Sequence, residues 1–432
     1  FHQHRYDKAS AFIHMALKEF NPEKKGRIQH FLTRHLAGMI HFETKDLDQA
    51  ETDFLDVLGF FETTAFDLVY AEACLGLGLT LWRRDQKTAA LPMIEKGLEK
   101  AMTGRHLFFP TAGPRIIASC LVIHAASGKK ISDAAYGKSL MTACPKQAIH
   151  AAMDDVLAGL HARDRAAAVR RLHTVYKTLL PRLRINTLGH FELYLGATPL
   201  DKDRFGGQKP LMLLKSLVLR GLQDIPKEIL VNDLWPDAAP AAGEKNFKTN
   251  LHRVRKALEP LPHAVFGYSY IRQKAGLVSM DPDLVCLDTD RFTAFAKTAG
   301  RHESAMRYEQ ALADYDRALS LYRGDYFADE PYLEKVEHKR AYFRLQYLEL
   351  LPQKARLLEE LDQVEAAVDI WHRLLEQDPY SERACRNLMI LYADAGQRQA
   401  AVALFHRFRD RLEQELGTGP EKQTLHILSM IS

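Results

Sequence analysis

Gly38, Ala50 and Phe54 recur 40 positions later as Gly78, Ala90 and Ile94. A repeat of that length restricts the first part of the chain to a few architectures. A small residue lets two helices approach closely, and a bulky residue four positions after another small one lies on the same helix face. The pattern predicts stacked helical hairpins over residues 1–180, with a weaker third copy at Cys120, Ala134 and Lys138. Near the other end, Ala367 and Trp371 are followed 34 positions later by Ala401 and Phe405, with Pro379 closing the first copy and Ala311, Tyr315 and Ala318 as an earlier relative. That spacing is also a helix–turn–helix period.

Composition excludes several classes. The chain is 47% hydrophobic and 26% charged, ordinary for globular protein, and 432 residues suffice for two to four domains. Its longest apolar runs are shorter than the 18 residues or so that a membrane span needs, so no membrane partner is expected. Cys74, Cys120, Cys144, Cys286 and Cys385 are scattered without a CxxC pair. They read as reduced, buried thiols of a cytoplasmic protein, with neither disulfide framework nor zinc site. GxSxG, HExxH and GxGxxG are absent, and no enzyme, cofactor or metal is expected. His2 and His4 read as a frayed terminus, and the Asp281, Asp283, Asp288 and Asp290 run as a surface linker. The start at Phe1 lacks an initiator Met, which leads us to expect that the chain is part of a longer one.

The centre has another texture. Leu183–Gly189 and Phe191–Leu195 alternate apolar and polar residues, as half-buried strands do. Three helices follow, at about Pro210–Arg220, Lys227–Leu234 and Lys245–Leu258, with Asp237–Gly243 as a loop between the last two. Tyr268–Arg272 and Leu277–Met280 then flank a turn containing Gly276, which predicts a hairpin.

The third helix carries the functional signal. On a helical wheel Phe247, Leu251, Val254 and Leu258 fall within about 60° of one another and form a buried stripe. Lys245, Thr249, His252, Arg253 and Lys256 lie opposite, and Lys248, Asn250 and Arg255 flank the stripe. Glu244–Pro260 holds five Lys/Arg against two Glu, although the whole chain carries only +4. Such a face suits a major-groove reader: Arg can bond guanine O6 and N7 together, Thr can touch a thymine methyl, and Lys or His can hold phosphate. Arg272 and Lys274 of the hairpin could grip the adjacent minor groove or backbone.

In this order, sheet, three helices and hairpin resemble the OmpR/PhoB-type winged helix-turn-helix. His252-Arg253-Val254-Arg255-Lys256-Ala257-Leu258 resembles its recognition helix, and Leu234-Trp235-Pro236 its preceding helix. Asp283–Phe292, Tyr322-Arg323-Gly324-Asp325-Tyr326, Asp378-Pro379-Tyr380 and Leu412–Pro420 resemble the bacterial transcriptional activation domain that follows in SARP-type regulators. The N-terminal repeats resemble the tetratricopeptide (TPR) arrays of MalT-like regulators. These carry a nucleotide-binding domain upstream, and no GxxxxGK[ST] occurs in this sequence.

The resemblance implies a mainly α chain in three domains: TPR-like repeats over 1–180, a winged helix-turn-helix over 183–288, and a TPR-like activation domain over 289–432. It implies an activator that binds direct repeats in double-stranded DNA near promoters as a head-to-tail homodimer. RNA polymerase would be touched through Asp237–Gly243, and the N-terminal repeats would receive a small-molecule or protein effector. Arg253 would read bases with Thr249 as second reader, while Lys245, Lys248, Asn250, His252, Arg255 and Lys256 would hold phosphates. The hairpin and position 252 depart from the usual pattern, so wing contacts and base preference do not transfer. A protein-interaction scaffold whose winged helix binds protein is the alternative. It predicts weak, salt-insensitive behaviour toward DNA, whereas a DNA reader loses affinity steeply with salt.

Overall fold

The computed structural model describes residues 6–20, 27–129, 131–330 and 336–431; His2 and His4 lie outside them. The described chain is mainly α and forms two compact units. One comprises Phe1–Leu180 with Pro262–Ser269, the other Pro181–Leu261 with Tyr270–Ser432.

The first unit contains α1 (Tyr6–Glu19), α2 (Arg27–Glu43), α3 (Leu47–Phe61), α4 (Asp67–Arg83), α5 (Lys87–Thr103), α6 (Gly113–Ala126), α7 (Ala134–Ala143), α8 (Lys146–Ala158) and α9 (Ala162–Leu179). The 40-residue repeat has a direct packing cause. A Cβ on Gly38 would lie 3.0 Å from the Phe54 ring, and one on Gly78 would lie 2.6 Å from Ile94 Cγ1. Helices α2 and α3, and α4 and α5, are thus brought close through a bare backbone patch facing one bulky side chain. Lys45 and Asp85, also 40 apart, both take left-handed backbone in the three-residue turns that close the two hairpins. The expected third copy fails. Ala134 and Lys138 are exposed, and Tyr136 and Leu140 are buried instead. Helix α6 packs chiefly on α8 and α9, because α7 is a short helix of 10 residues set apart by an irregular connection.

A buried polar knot stands among these apolar contacts. The Glu72 carboxylate accepts from the backbone N–H groups of Thr111 (2.9 Å) and Ala112 (3.0 Å) at the start of α6. It also meets the Thr111 hydroxyl and His35. Burial pushes its pKa up, but the bonds from His35, Ala112 and Thr111 prevail and hold it below the ordinary carboxylate range.

The second unit begins with β1 (Leu183–Asn186), β2 (Glu192–Leu195) and β3 (Thr198–Pro199), followed by α10 (Gln208–Leu219), β4 (Ile225–Pro226), α11 (Lys227–Leu234) and α12 (Pro240–Leu258). Next come β5 (Ile271–Lys274), β6 (Leu277–Met280) and β7 (Val285–Leu287). One sheet has the order β3-β2-β1-β7, with β1 antiparallel to β2 and parallel to β7; the other has the order β4-β6-β5. The hairpin turn Ala275-Gly276 has positive φ at both residues, +49° and +80°, as a two-residue turn between twisted strands requires. Helices α13 (Asp288–Ser304), α14 (Tyr308–Leu321), α15 (Glu337–Glu360), α16 (Val364–Gln377), α17 (Glu382–Asp394), α18 (Arg398–Arg411) and α19 (Lys422–Ile431) complete the unit. Ala311, Tyr315, Ala318, Ala367, Trp371, Ala401 and Phe405 are all buried. Tyr315 donates to Glu303 (2.5 Å) and the Trp371 indole to Glu359 (2.6 Å), each partner 12 residues upstream.

The aspartate run is a surface linker only in part: Asp283 and Asp290 are exposed. Asp288 and Asp281 are 2% exposed. At the start of α13, the Asp288 carboxylate accepts from the N–H of Thr187 and of Leu188, both at 2.7 Å, and from the Thr187 hydroxyl at 2.8 Å. Burial raises its pKa despite these bonds. The same corner is laced to the segment after α14: Phe327 N–H donates to Thr187 O (2.7 Å), Ala328 N–H to Gly189 O (2.9 Å), and Gly189 N–H to Asp325 O (3.1 Å). Arg340 of α15 donates to the carbonyls of Tyr326 and Phe327, each at 2.9 Å. These bonds explain why the sheet, the three central helices and α13–α19 make one compact body.

Candidate nucleic-acid interface

Helix α12 begins at Pro240, five residues before the expected Lys245. Proline is favoured in the first turn, where its missing N–H costs nothing, so Pro240–Gly243 is helix and the loop from α11 shortens to Trp235–Ala239. Gly243 is required there: a Cβ would lie 2.8 Å from Val231 Cγ1 of α11. The expected stripe is the buried face, with Phe247, Leu251, Val254 and Leu258 at most 2% exposed. It packs against α10 and α11.

On the other side Lys245, Lys248, Thr249, His252, Arg253 and Lys256 are all exposed. The Arg253 guanidinium rests lightly, 3.5 Å from the Gly206 carbonyl. Thr249 donates its hydroxyl back to the Lys245 carbonyl at 3.0 Å, so its methyl is the group it has to offer a base. Lys248 is not a spare cation. Glu244 sits 2.9 Å from Lys227 and 3.2 Å from Lys248; its hydrogen bonds to these two lysines hold its carboxyl low. Lys245 and Lys256 have no ion-pair partner among the described residues.

Three expected contact residues are placed differently. Asn250 is buried, and its amide donates to the Asn246 carbonyl at 2.8 Å; it belongs to the packed side of α12. Arg255 is half-buried and its Nε donates to the Ile271 carbonyl at 3.2 Å, fastening the helix to β5. Arg272 pairs with the buried Asp281 carboxylate, so its charge is already answered. Lys274 stands exposed beside the turn. The first hairpin strand is Ile271–Lys274 rather than Tyr268–Arg272, because residues up to Ser269 belong to the first unit.

Sequence reading missed Glu244 as a counter-charge, Asp288 as a clamp and Arg340 as a brace. The i,i+4 spacing of Glu244 and Lys248 could have revealed the first. The other two bridge distant parts of the chain and leave no local signal.

Comparison with known proteins bears on the helices that follow this surface. Residues 287–431 match the family model of the bacterial transcriptional activator domain. The chain is 28% identical over 255 residues to the transcriptional regulatory protein MoaR1 of Mycobacterium tuberculosis, covering 55% of this chain and 75% of that protein. It is 22% identical over 248 residues to the regulatory protein DnrI of Streptomyces peucetius, covering 57% and 90%. With the regulatory protein AfsR of Streptomyces coelicolor it shares 28% identity over 222 residues, 50% of this chain but 21% of that longer protein. Among solved structures, Mycobacterium tuberculosis EmbR in complex with a phosphopeptide aligns with 58% of this chain and 65% of that one at 21% identity and a TM-score of 0.48. The domain match and the regulatory names of these sequence relatives support a transcriptional regulator.

Proposed function

We propose that the chain is a sequence-specific, DNA-binding transcriptional activator. The observation that carries this reading is the two-sidedness of α12, whose apolar stripe is buried against α10 and α11 while six polar residues stand exposed opposite. In this reading α12 enters the major groove. Arg253 reads a guanine through two parallel hydrogen bonds, and the Thr249 methyl meets a thymine. Lys245, His252 and Lys256 hold phosphates, with Lys248 sharing its charge with Glu244. Lys274 reaches the neighbouring backbone. Asn250, Arg255 and Arg272 shape the surface without touching DNA. Two copies bind a direct repeat head to tail, and RNA polymerase is met at the Trp235–Ala239 turn and the first turn of α12. The first unit is a TPR-like array that receives a small-molecule or protein effector. The cytoplasm is the compartment that this function requires, and no helix among the described residues is long and apolar enough to cross a membrane.

The test is selection of genomic fragments by the purified chain at two salt concentrations. Enrichment of a short direct repeat beside promoters, with affinity falling steeply as salt rises, is expected, since phosphate contacts release counterions. An unenriched pool with little salt dependence would reject DNA reading in favour of a protein-binding scaffold.

A further inference from the structure

Between α12 and the hairpin the chain departs for eight residues, Pro262–Ser269, which belong to the first unit. His263 and Ser269 are buried, while Ala264 and Val265 stay exposed. His263 is 6% exposed, and its backbone N–H donates to the Tyr176 hydroxyl of α9 at 3.1 Å. Its Nδ1 accepts from the Val265 N–H at 3.3 Å, which leaves the ring proton on Nε2. That nitrogen lies 3.1 Å from Asp154 Oδ1 of α8, in range of an ion pair though out of line for a hydrogen bond. The Phe266 ring stacks on His263 at 4.5 Å and lies 5.2 Å from Tyr176 and 5.4 Å from His173. His150 of α8 adds a ring 5.7 Å from Tyr176. Phe266 is half-buried and packs against the hydrophobic core of the first unit. Gly267, at φ +66°, returns its N–H to the His263 carbonyl at 2.8 Å and turns the chain back.

The connections on either side are short. Three residues, Glu259–Leu261, separate α12 from the segment, and a fully extended chain spans at most about 3.5 Å per residue. On the other side Tyr270 alone precedes β5; it is buried and donates its hydroxyl to the Pro181 carbonyl. The segment is thus tied by short covalent connections to the end of α12 and to the first hairpin strand.

We propose that Pro262–Ser269 is a strap through which the state of α8 and α9 sets the order of the β5–β6 hairpin, and with it DNA binding. A signal received by the helical array reaches the DNA-binding surface by loosening or seating this strap. The proposal rests on the reading of α12 and the hairpin as that surface, but its mechanical part does not need DNA.

The experiment is amide hydrogen exchange on the full chain, comparing the parent with Tyr176→Phe and Phe266→Ala. Tyr176→Phe removes one hydroxyl from a ring that stays packed, so it decides the matter if Phe266→Ala disturbs the array as a whole. Exchange at Ile271–Met280 is expected to rise at least tenfold in the variants, while α2–α5 keep parent rates. Freed exchange at 262–269 with parent rates at 271–280 overturns the strap. DNA gives a second arm by reciprocity. A duplex carrying the selected repeat is expected to slow exchange in α9 around Tyr176 in the parent and not in Phe266→Ala; equal slowing in both overturns the coupling. If the parent binds no DNA, the functional reading fails on its own account and the first arm still decides the strap.

Discussion

The helical hairpins of α2–α5 and the corner where β1 meets α13 are both tightly packed, yet they are held by opposite means. In the hairpins a glycine faces a phenylalanine or an isoleucine, and the stability comes from apolar contact at close range. At the corner a buried carboxylate, a brace arginine and several loop carbonyls satisfy one another. Apolar contact loses stability according to the atoms removed or crowded, whereas a buried polar node left half-satisfied costs the desolvation of every group it abandons. The hairpins are therefore held mainly by close apolar approach and the corner by one satisfied polar geometry, although the first unit also carries the buried Glu72 knot.

That contrast is tested hardest by Asp288→Ala, which strands the N–H groups of Thr187 and Leu188 in a dry corner. It should cost about 3 kcal/mol, seen in urea unfolding as an early transition reported by Trp235 and Trp371, with the Trp82 transition unmoved. Gly78→Ala forces Ile94 aside and should cost roughly 1–3 kcal/mol in the Trp82 transition. Adding Ile94→Ala should make the pair cost less than the sum; strict additivity would mean that the close approach does not set the hairpin. On α12 the contrast is between stability and binding. Arg253→Ala should lose roughly 1–3 kcal/mol of specific DNA affinity and leave unfolding within about 0.5 kcal/mol of the parent. Lys256→Ala should weaken all sequences alike and lower the salt slope by about 1. Asn250→Ala should do the reverse of Arg253→Ala, moving stability and sparing base preference.

The smallest effect is in acid. Glu72 has a lowered pKa, so the stability it contributes is present above its unfolded value and is lost as pH falls through the carboxylate range. Asp288 has a raised pKa, so the folded state takes up its proton first and gains stability as pH falls toward the unfolded value. Below about pH 4.5, Glu72→Gln should flatten the acid loss of the first unit, and as pH falls toward about 4, Asp288→Asn should remove a gain from the second. Parallel pH profiles for the two variants would contradict these signs.

Much of this architecture was legible wherever one period ran long enough. The stripe Phe247, Leu251, Val254 and Leu258 announces α12 over three turns, and the 40-residue offset announces the first two hairpins. The strands β3, β4 and β7 are two or three residues long, too short for any alternation to show. Asn250 misled because a wheel places it at the flank, while its amide closes onto the carbonyl of Asn246 and turns the residue inward. Asp288 was read as linker because its partners lie about a hundred positions away, where no local pattern reaches. Nothing in the residues of Pro262–Ser269 says that Phe266 packs against the core of a different part of the chain.

That last placement also governs how the molecule is made. During synthesis the first 180 residues emerge long before Phe266 does. Helices α8 and α9 await the contacts of His263 and Phe266 while some eighty further residues leave the ribosome. The array is thus completed only after α12 has been synthesised, and a chain interrupted before residue 262 would leave the Tyr176 ring without its His263 and Phe266 neighbours.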